Sequence, residues 1–282
     1  MCNWDSHCAS AAIDWQGVLP KRFSACVPRP LLMSRLGSQA APLAITLDLD
    51  DTLWPVQPAL DRADQATDAW LREHYPRVAA TWPIEALQAL RLQIAGERTD
   101  LAHDISAQRR LSFQHVFAAS GVADGPIDVL WEIYFAARNQ VNLYGESAAT
   151  LARMARRFPL ASLTNGNADL QRVGIEAYFA SHICARDVGC AKPDHRIFLA
   201  AATQLGVSPR DILHAGDDPL RDIVGARTAG LRTAWINRDG ATWPVAFGPP
   251  PELELRDLGA LADWLENQPR SIGNAAASVH HW

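Results

Sequence analysis

Four short stretches of this chain carry the side chains able to do chemistry. Asp48-Leu49-Asp50-Asp51-Thr52 follows one apolar run, and Thr164-Asn165-Gly166-Asn167 follows another. Gly216-Asp217-Asp218 follows a third, with Asp222 a few residues on, and Cys190-Ala191-Lys192-Pro193 leads into a helical pattern. If these stretches converge, six carboxylates crowd one volume and raise one another's pKa. A divalent cation with oxygen ligands relieves the conflict, and Mg²⁺ suits carboxylates plus a substrate phosphate. Lys192 adds positive charge, so the place is set to receive an anion. A carboxylate can attack phosphorus and form an acyl phosphate. Asp48, leaving its strand end directly, is the expected nucleophile. Asp50, two residues on, is placed to protonate the leaving oxygen and then deprotonate water. Thr164, the backbone N–H of Asn165 and Lys192 are expected to hold the phosphoryl oxygens, since phosphoryl transfer depends on positioning and charge. Asp217 is the expected metal ligand, with Asp218 and Asp222 behind it and Asp222 orienting the metal's waters or Lys192.

Such convergence needs a particular scaffold. The run at 43–47 reads as a buried strand of a parallel sheet. Residues 58–140 then read as helices in succession, over 58–74, 83–95, 106–120 and 126–138, with Pro near the first helical positions and Gly121 after the third. From 146 onward helices alternate with strands: helices at 146–157, 169–179, 194–205, 222–229 and 258–266, strands at 160–163, 182–185, 212–215 and 232–236. Alternation of this kind makes a parallel sheet with helices on both faces. Ligands in such sheets bind at the carboxyl ends of the strands, where the three polar stretches lie. The fold class is therefore α/β. The core is expected over 41–56 and 142–270 and a helical insert over 57–141, with a disordered leader at 1–40 and a disordered tail at 271–282.

Composition narrows the functions. The formal net charge is −5 and basic residues are scattered, which argues against a nucleic-acid partner. No apolar run is long enough for a membrane span. Five cysteines without a CxxC pair read as free thiols in a reducing cytoplasm.

The ordered set Asp48-Leu49-Asp50-Asp51-Thr52, Thr164-Asn165-Gly166, Lys192-Pro193 and Gly216-Asp217-Asp218 through Asp222 resembles the four motifs of the haloacid dehalogenase-like hydrolases. The resemblance implies a Rossmann-like core with a mobile C1-type cap, and Mg²⁺ held by Asp48, the backbone carbonyl of Asp50 and Asp217. It also implies a small phosphorylated metabolite as partner. The stretches at 163–168, 212–218 and 232–236 are similar to bacterial phosphatases of riboflavin metabolism acting on 5-amino-6-(5-phospho-D-ribitylamino)uracil and FMN. The cap residues His103, Asp104 and Arg109 also match that group, and Trp54 is a candidate to stack on an aromatic substrate. Dehalogenases of the family lack an acid two residues after the nucleophile, so Asp50 argues against haloacid chemistry. A phosphomutase, which keeps that acid, and a non-catalytic binding module are the other readings.

Overall fold

A computed structural model describes residues 41–269. The expected leader and the expected tail lie outside the described residues. The first strand, β1 (Ala44–Leu47), is buried along its whole length, as a strand covered on both faces must be. Five helices follow: α1 (Val56–His74), α2 (Pro76–Thr81), α3 (Ile84–Glu97), α4 (Ile105–Ala119) and α5 (Ile127–Arg138). They close on an apolar core of their own, built from residues such as Leu71, Leu87, Phe113, Phe117, Leu130 and Tyr134. Inside it, Asp64 pairs with Arg91 at 2.5 Å. The remaining chain runs α6 (Ser147–Ala155), β2 (Leu160–Thr164), α7 (Leu170–Val173), β3 (Ser181–Cys184), α8 (Ala185–Val188) and α9 (His195–Leu205). It ends with β4 (Ile212–Gly216), α10 (Gly225–Thr228), β5 (Arg232–Ile236), β6 (Leu253–Leu255) and α11 (Leu258–Glu266).

The six strands form one parallel sheet in the order β3-β2-β1-β4-β5-β6. Two apolar clusters sandwich it. One packs α6 and α11 side chains against Ile45, Leu47 and Leu213; the other packs Ile197, Phe198 and Ala201 of α9 against Ala161, Leu163 and Ile212. The chain is thus an α/β Rossmann-like fold carrying a helical insert after β1. The register sets Leu47 beside Ser162 on one side and Ala215 on the other. The polar stretches after β1, β2 and β4 therefore leave the same edge side by side.

Several boundaries differ from the sequence reading for local reasons. The helix expected over 169–179 is only α7, because Gly174 at φ 83° turns the chain left-handed. The helix expected over 222–229 begins earlier, as a widened turn over Pro219–Val224 capped by the Asp218 side chain, and passes into α10. The periodicity also passes over α2 and β6, which are only 6 and 3 residues long.

Candidate active site

Asp48 lies one residue past β1, its N–H donating to the Ala215 carbonyl at 2.9 Å, which pins it between β1 and β4. The next residues turn sharply. Asp51 adopts φ 58°, and its carboxylate accepts from the Val56 N–H at 2.9 Å, so it seats the start of α1. That turn presents Asp48 and Asp50 to one cavity.

Lys192 lies at the centre of the charge network. It is buried, and its Nζ donates to Asp48 Oδ1 and to Asp222 Oδ1, both at 2.6 Å. Asp222 is held from further sides, with His214 Nε2 at 3.2 Å from Oδ1 and the Asp218 N–H donating to Oδ2 at 2.9 Å. His214 in turn has Nδ1 at 2.8 Å from the Thr46 hydroxyl. Burial pushes the His214 pKa down, so the ring is neutral and its Nε2–H serves Asp222. Burial works against the Asp222 charge, yet Lys192 and His214 hold its carboxyl well below the usual range. With both oxygens engaged, Asp222 buttresses Lys192.

Asp48 and Asp217 are in the opposite condition. Burial, then the fields of Asp222 and Asp217, push Asp48 well above the carboxylate range, with Lys192 opposing. Burial first, then Asp222, push Asp217 up to about 7, while the Thr52 hydroxyl donates to its Oδ1 at 3.1 Å. One buried lysine faces three carboxylates. Oxygen atoms of Asp48, Asp217 and Asp222 lie within 4.8 Å of one another. A surplus of buried negative charge on hard oxygen donors fits a divalent cation such as Mg²⁺.

The second strand end supplies the rest. The Asn165 side chain clasps the backbone of Lys192, accepting from its N–H at 2.7 Å and donating to its carbonyl at 2.9 Å. Thr164 Oγ1 accepts from the Gly166 N–H at 2.9 Å. Gly166 is required by space, since a Cβ there would sit 2.6 Å from Asp50 Oδ2. Gly216 is similar, since its Cβ would lie 2.3 Å from Asp222 Cγ.

Asp50 has a partner that the sequence reading missed. Nη2 of Arg138, at the end of α5, donates to both Asp50 oxygens at 2.7 Å, and the Trp54 indole N–H donates to Oδ1 at 2.9 Å. Arg138 is 1% exposed. From sequence it is an ordinary basic residue in a last helical turn; only its tertiary placement, 88 residues from Asp50, gives it a role. Trp54, a candidate for stacking on substrate, is instead wholly buried behind Asp50 and does not line the cavity.

That cavity has a volume of about 390 Å³. It is lined by Asp48, Asp50, Thr164, Asn165, Lys192, Asp217, Asp218 and Asp222 from the sheet edge, and by Arg109, Tyr134 and Arg138 from the helical insert. Arg109 therefore joins the carboxylates. His103 and Asp104 line a neighbouring cavity that shares Ile105, Gly166 and Asn167 with the first. Asp104 accepts from the Ala107 N–H at 2.8 Å as the N-cap of α4, which accounts for its carboxylate structurally.

Comparison with known proteins accords with this geometry. Residues 42–230 match the family model described as haloacid dehalogenase-like hydrolase. The chain is 29% identical over 226 residues to 5-amino-6-(5-phospho-D-ribitylamino)uracil phosphatase YigB of Escherichia coli strain K12, covering 77% of this chain and 94% of that protein. It is 36% identical over 156 residues to a phosphoserine phosphatase of Thermus thermophilus, covering 53% of this chain and 62% of that one. Among solved structures, a 2-haloacid dehalogenase from Pseudomonas syringae pv. tomato superposes with a TM-score of 0.72 at 37% identity, covering 78% of this chain and 98% of that one.

Proposed function

This chain belongs to the haloacid dehalogenase-like hydrolases, and from that premise we propose that it is a Mg²⁺-dependent phosphatase of small phosphate monoesters with Asp48 as nucleophile. The observation that carries this reading is the Asp48–Lys192–Asp222 network beside Asp217, with Asp50 facing the same cavity. Lys192 holds Asp48 Oδ1, leaving Oδ2 to attack phosphorus. The P–O bond to the leaving group breaks as the new bond forms, and Asp50 gives the leaving oxygen a proton. Asp50 then takes a proton from water, whose oxygen attacks the aspartyl-phosphate and frees phosphate and Asp48. Lys192, the Thr164 hydroxyl and the Asn165 N–H hold the phosphoryl oxygens. Mg²⁺, when bound by Asp48, the Asp50 carbonyl and Asp217, supplies charge neutralisation at the phosphoryl group. The helical insert acts as a cap that closes the cavity to water. FMN and the ribitylaminouracil phosphate are the first esters to assay, on the strength of the Escherichia coli relative. Cys184 and Cys190 are buried free thiols, which suits a cytoplasmic enzyme.

The test is phosphate release from a panel of metabolite monophosphates with and without Mg²⁺. Turnover that is indifferent to chelation would sink the metal's part. The similarity to the Pseudomonas dehalogenase favours a second reading, hydrolysis of a 2-haloacid at carbon. Halide release from 2-chloropropionate, without phosphate release from any ester, would establish it in place of the first.

Two expectations follow from the acid chemistry. Arg138→Ala frees Asp50, so esters with poor leaving groups, which need the proton, should lose about 10²-fold in kcat. p-Nitrophenyl phosphate, whose leaving group needs no proton, should lose far less. Equal losses on alkyl and aryl esters would mean that Arg138 serves the fold alone.

The raised pKa of Asp217 has a thermodynamic sign. The folded state binds the extra proton between the ordinary carboxylate range and about 7, so the metal-free protein loses stability as pH rises through that window. The whole effect is on the order of 4 kcal/mol. Asp217→Asn should therefore raise the Tm of metal-free protein at pH 8 while removing the stabilisation that Mg²⁺ gives. A lower Tm in the variant would contradict the charge surplus.

A further inference from the structure

The cap side of the catalytic cavity holds positive charge that the protein itself does not neutralise. Arg109 reaches the cavity from α4 with its guanidinium over the Tyr134 ring, 4.6 Å from the centroid. Its Nε is buried and meets no acceptor, and among the described residues no carboxylate forms an ion pair with it. The acid whose field reaches it, Asp64, is engaged by Arg91 at 2.5 Å and by Gln88 at 3.0 Å. Arg91 also repels it, so two guanidinium groups share one carboxylate there. Arg138 is neutralised by Asp50 but also leaves one buried nitrogen without an acceptor. Arg138 spends Nη2 on Asp50, while its Nη1 is buried without a partner in a residue that lines the same cavity. The same cavity has an apolar part to its wall, with Val56, Leu60 and Ile105.

A buried guanidinium N–H without an acceptor is costly until an oxygen meets it. Arg109 brings unpaired positive charge to the cavity from the helical insert. No carboxylate among the described residues pairs with it, although acids line the same cavity. A ligand that brings the missing charge removes this cost.

We propose that the cavity selects phosphate esters whose leaving group ends in a second anionic group, a carboxylate or a further phosphate, received by Arg109. This rests on the phosphatase reading and narrows it. The phosphoryl group lies among Asp48, Thr164 and Lys192, the carbon skeleton lies along the apolar wall, and the distal anion meets the guanidinium fork, which matches carboxylate and phosphate oxygens in pairs. Acidic esters then rank above esters whose far end is uncharged, FMN's ring system among the latter.

The experiment uses matched substrates that differ in the distal charge: 6-phosphogluconate against glucitol 6-phosphate, and 3-phosphoglycerate against glycerol 3-phosphate. A bisphosphate such as fructose 1,6-bisphosphate is set against fructose 6-phosphate to separate a phosphate from a carboxylate source. Wild-type protein should favour the acidic member of at least one pair by tenfold or more in kcat/KM. Arg109→Gln should bring that ratio close to one, chiefly by raising KM for the acidic member, and Arg109→Lys should restore part of it. A structural fault in the variant would lower both members alike and leave the ratio standing, which counts against the proposal. A wild-type enzyme with no preference in any pair overturns it without recourse to a variant. Phosphate release from none of these esters, nor from p-nitrophenyl phosphate, would instead overturn the phosphatase reading beneath it.

Discussion

Asp48→Asn should abolish phosphate release, with a fall in kcat of at least 10³-fold, while the protein stays folded. An amide cannot act as the attacking carboxylate, and the aspartyl-phosphate cannot form. Burial also resists the charge on Asp48, whose pKa is pushed well above the carboxylate range even beside Lys192. Removing that charge relieves Asp217 and Asp222 of a like neighbour, while Lys192 keeps Asp222 and the new amide oxygen as acceptors, so the substitution should change stability little. The check is steady-state turnover of p-nitrophenyl phosphate together with a thermal melt in each protein. A variant that keeps a tenth of its activity would exclude Asp48 as nucleophile, whatever else the site does.

Lys192→Met should be damaging in a different way. Its Nζ is the shared partner of Asp48 and Asp222, both at 2.6 Å. Without it, three carboxylates remain in one buried volume, with neutral His214 as the remaining donor on Asp222 Oδ1. Breaking a buried pair by removing one member typically costs about 3–5 kcal/mol. Here the loss should be largest at neutral pH and smaller in mild acid. Without the lysine's charge, burial and mutual repulsion push the three carboxyls upward, so the variant takes up protons in mild acid and regains stability there. In wild type the Asp222 carboxyl lies well below the usual range, so its contribution is fully present at both pH values. Denaturant unfolding of the metal-free variant and wild type at pH 5 and pH 8 tests both the size and the slope. Mg²⁺ should recover part of the loss by supplying positive charge to the same oxygens. A variant as stable as wild type at pH 8 would mean that the lysine is not what holds the carboxylates together.

The strand-end chemistry was legible because each acidic or polar stretch follows an apolar run of 4 or 5 residues, and the parallel sheet brings those runs side by side. Local sequence states both facts. Lys192 was legible by its order between those stretches. Arg138 was not, because a basic residue at the end of α5 has an adequate local explanation as a partner of the helix terminus. Its pairing with Asp50 depends on how the helical insert meets the sheet edge, which no spacing encodes. Trp54 misled for the same reason. Its place after the catalytic turn suggested a substrate contact, whereas the turn directs the indole inward, where its N–H meets Asp50. His103 and Asp104 were grouped with Arg109 because all three match the cap of the same phosphatase group. The start of α4 separates them, since Asp104 caps the helix and Arg109, further along it, lines the carboxylate cavity. Helix 169–179 failed where one glycine overrode an otherwise helical run.

The most direct measurement is acid quench of the enzyme during p-nitrophenyl phosphate turnover with Mg²⁺, followed by peptide mass spectrometry. A phosphoryl adduct on the peptide that carries Asp48, at the aspartate itself and absent from Asp48→Asn, is the result this account predicts. An enzyme that turns over fully with no phosphoryl adduct, or with the adduct on a different side chain, would contradict it.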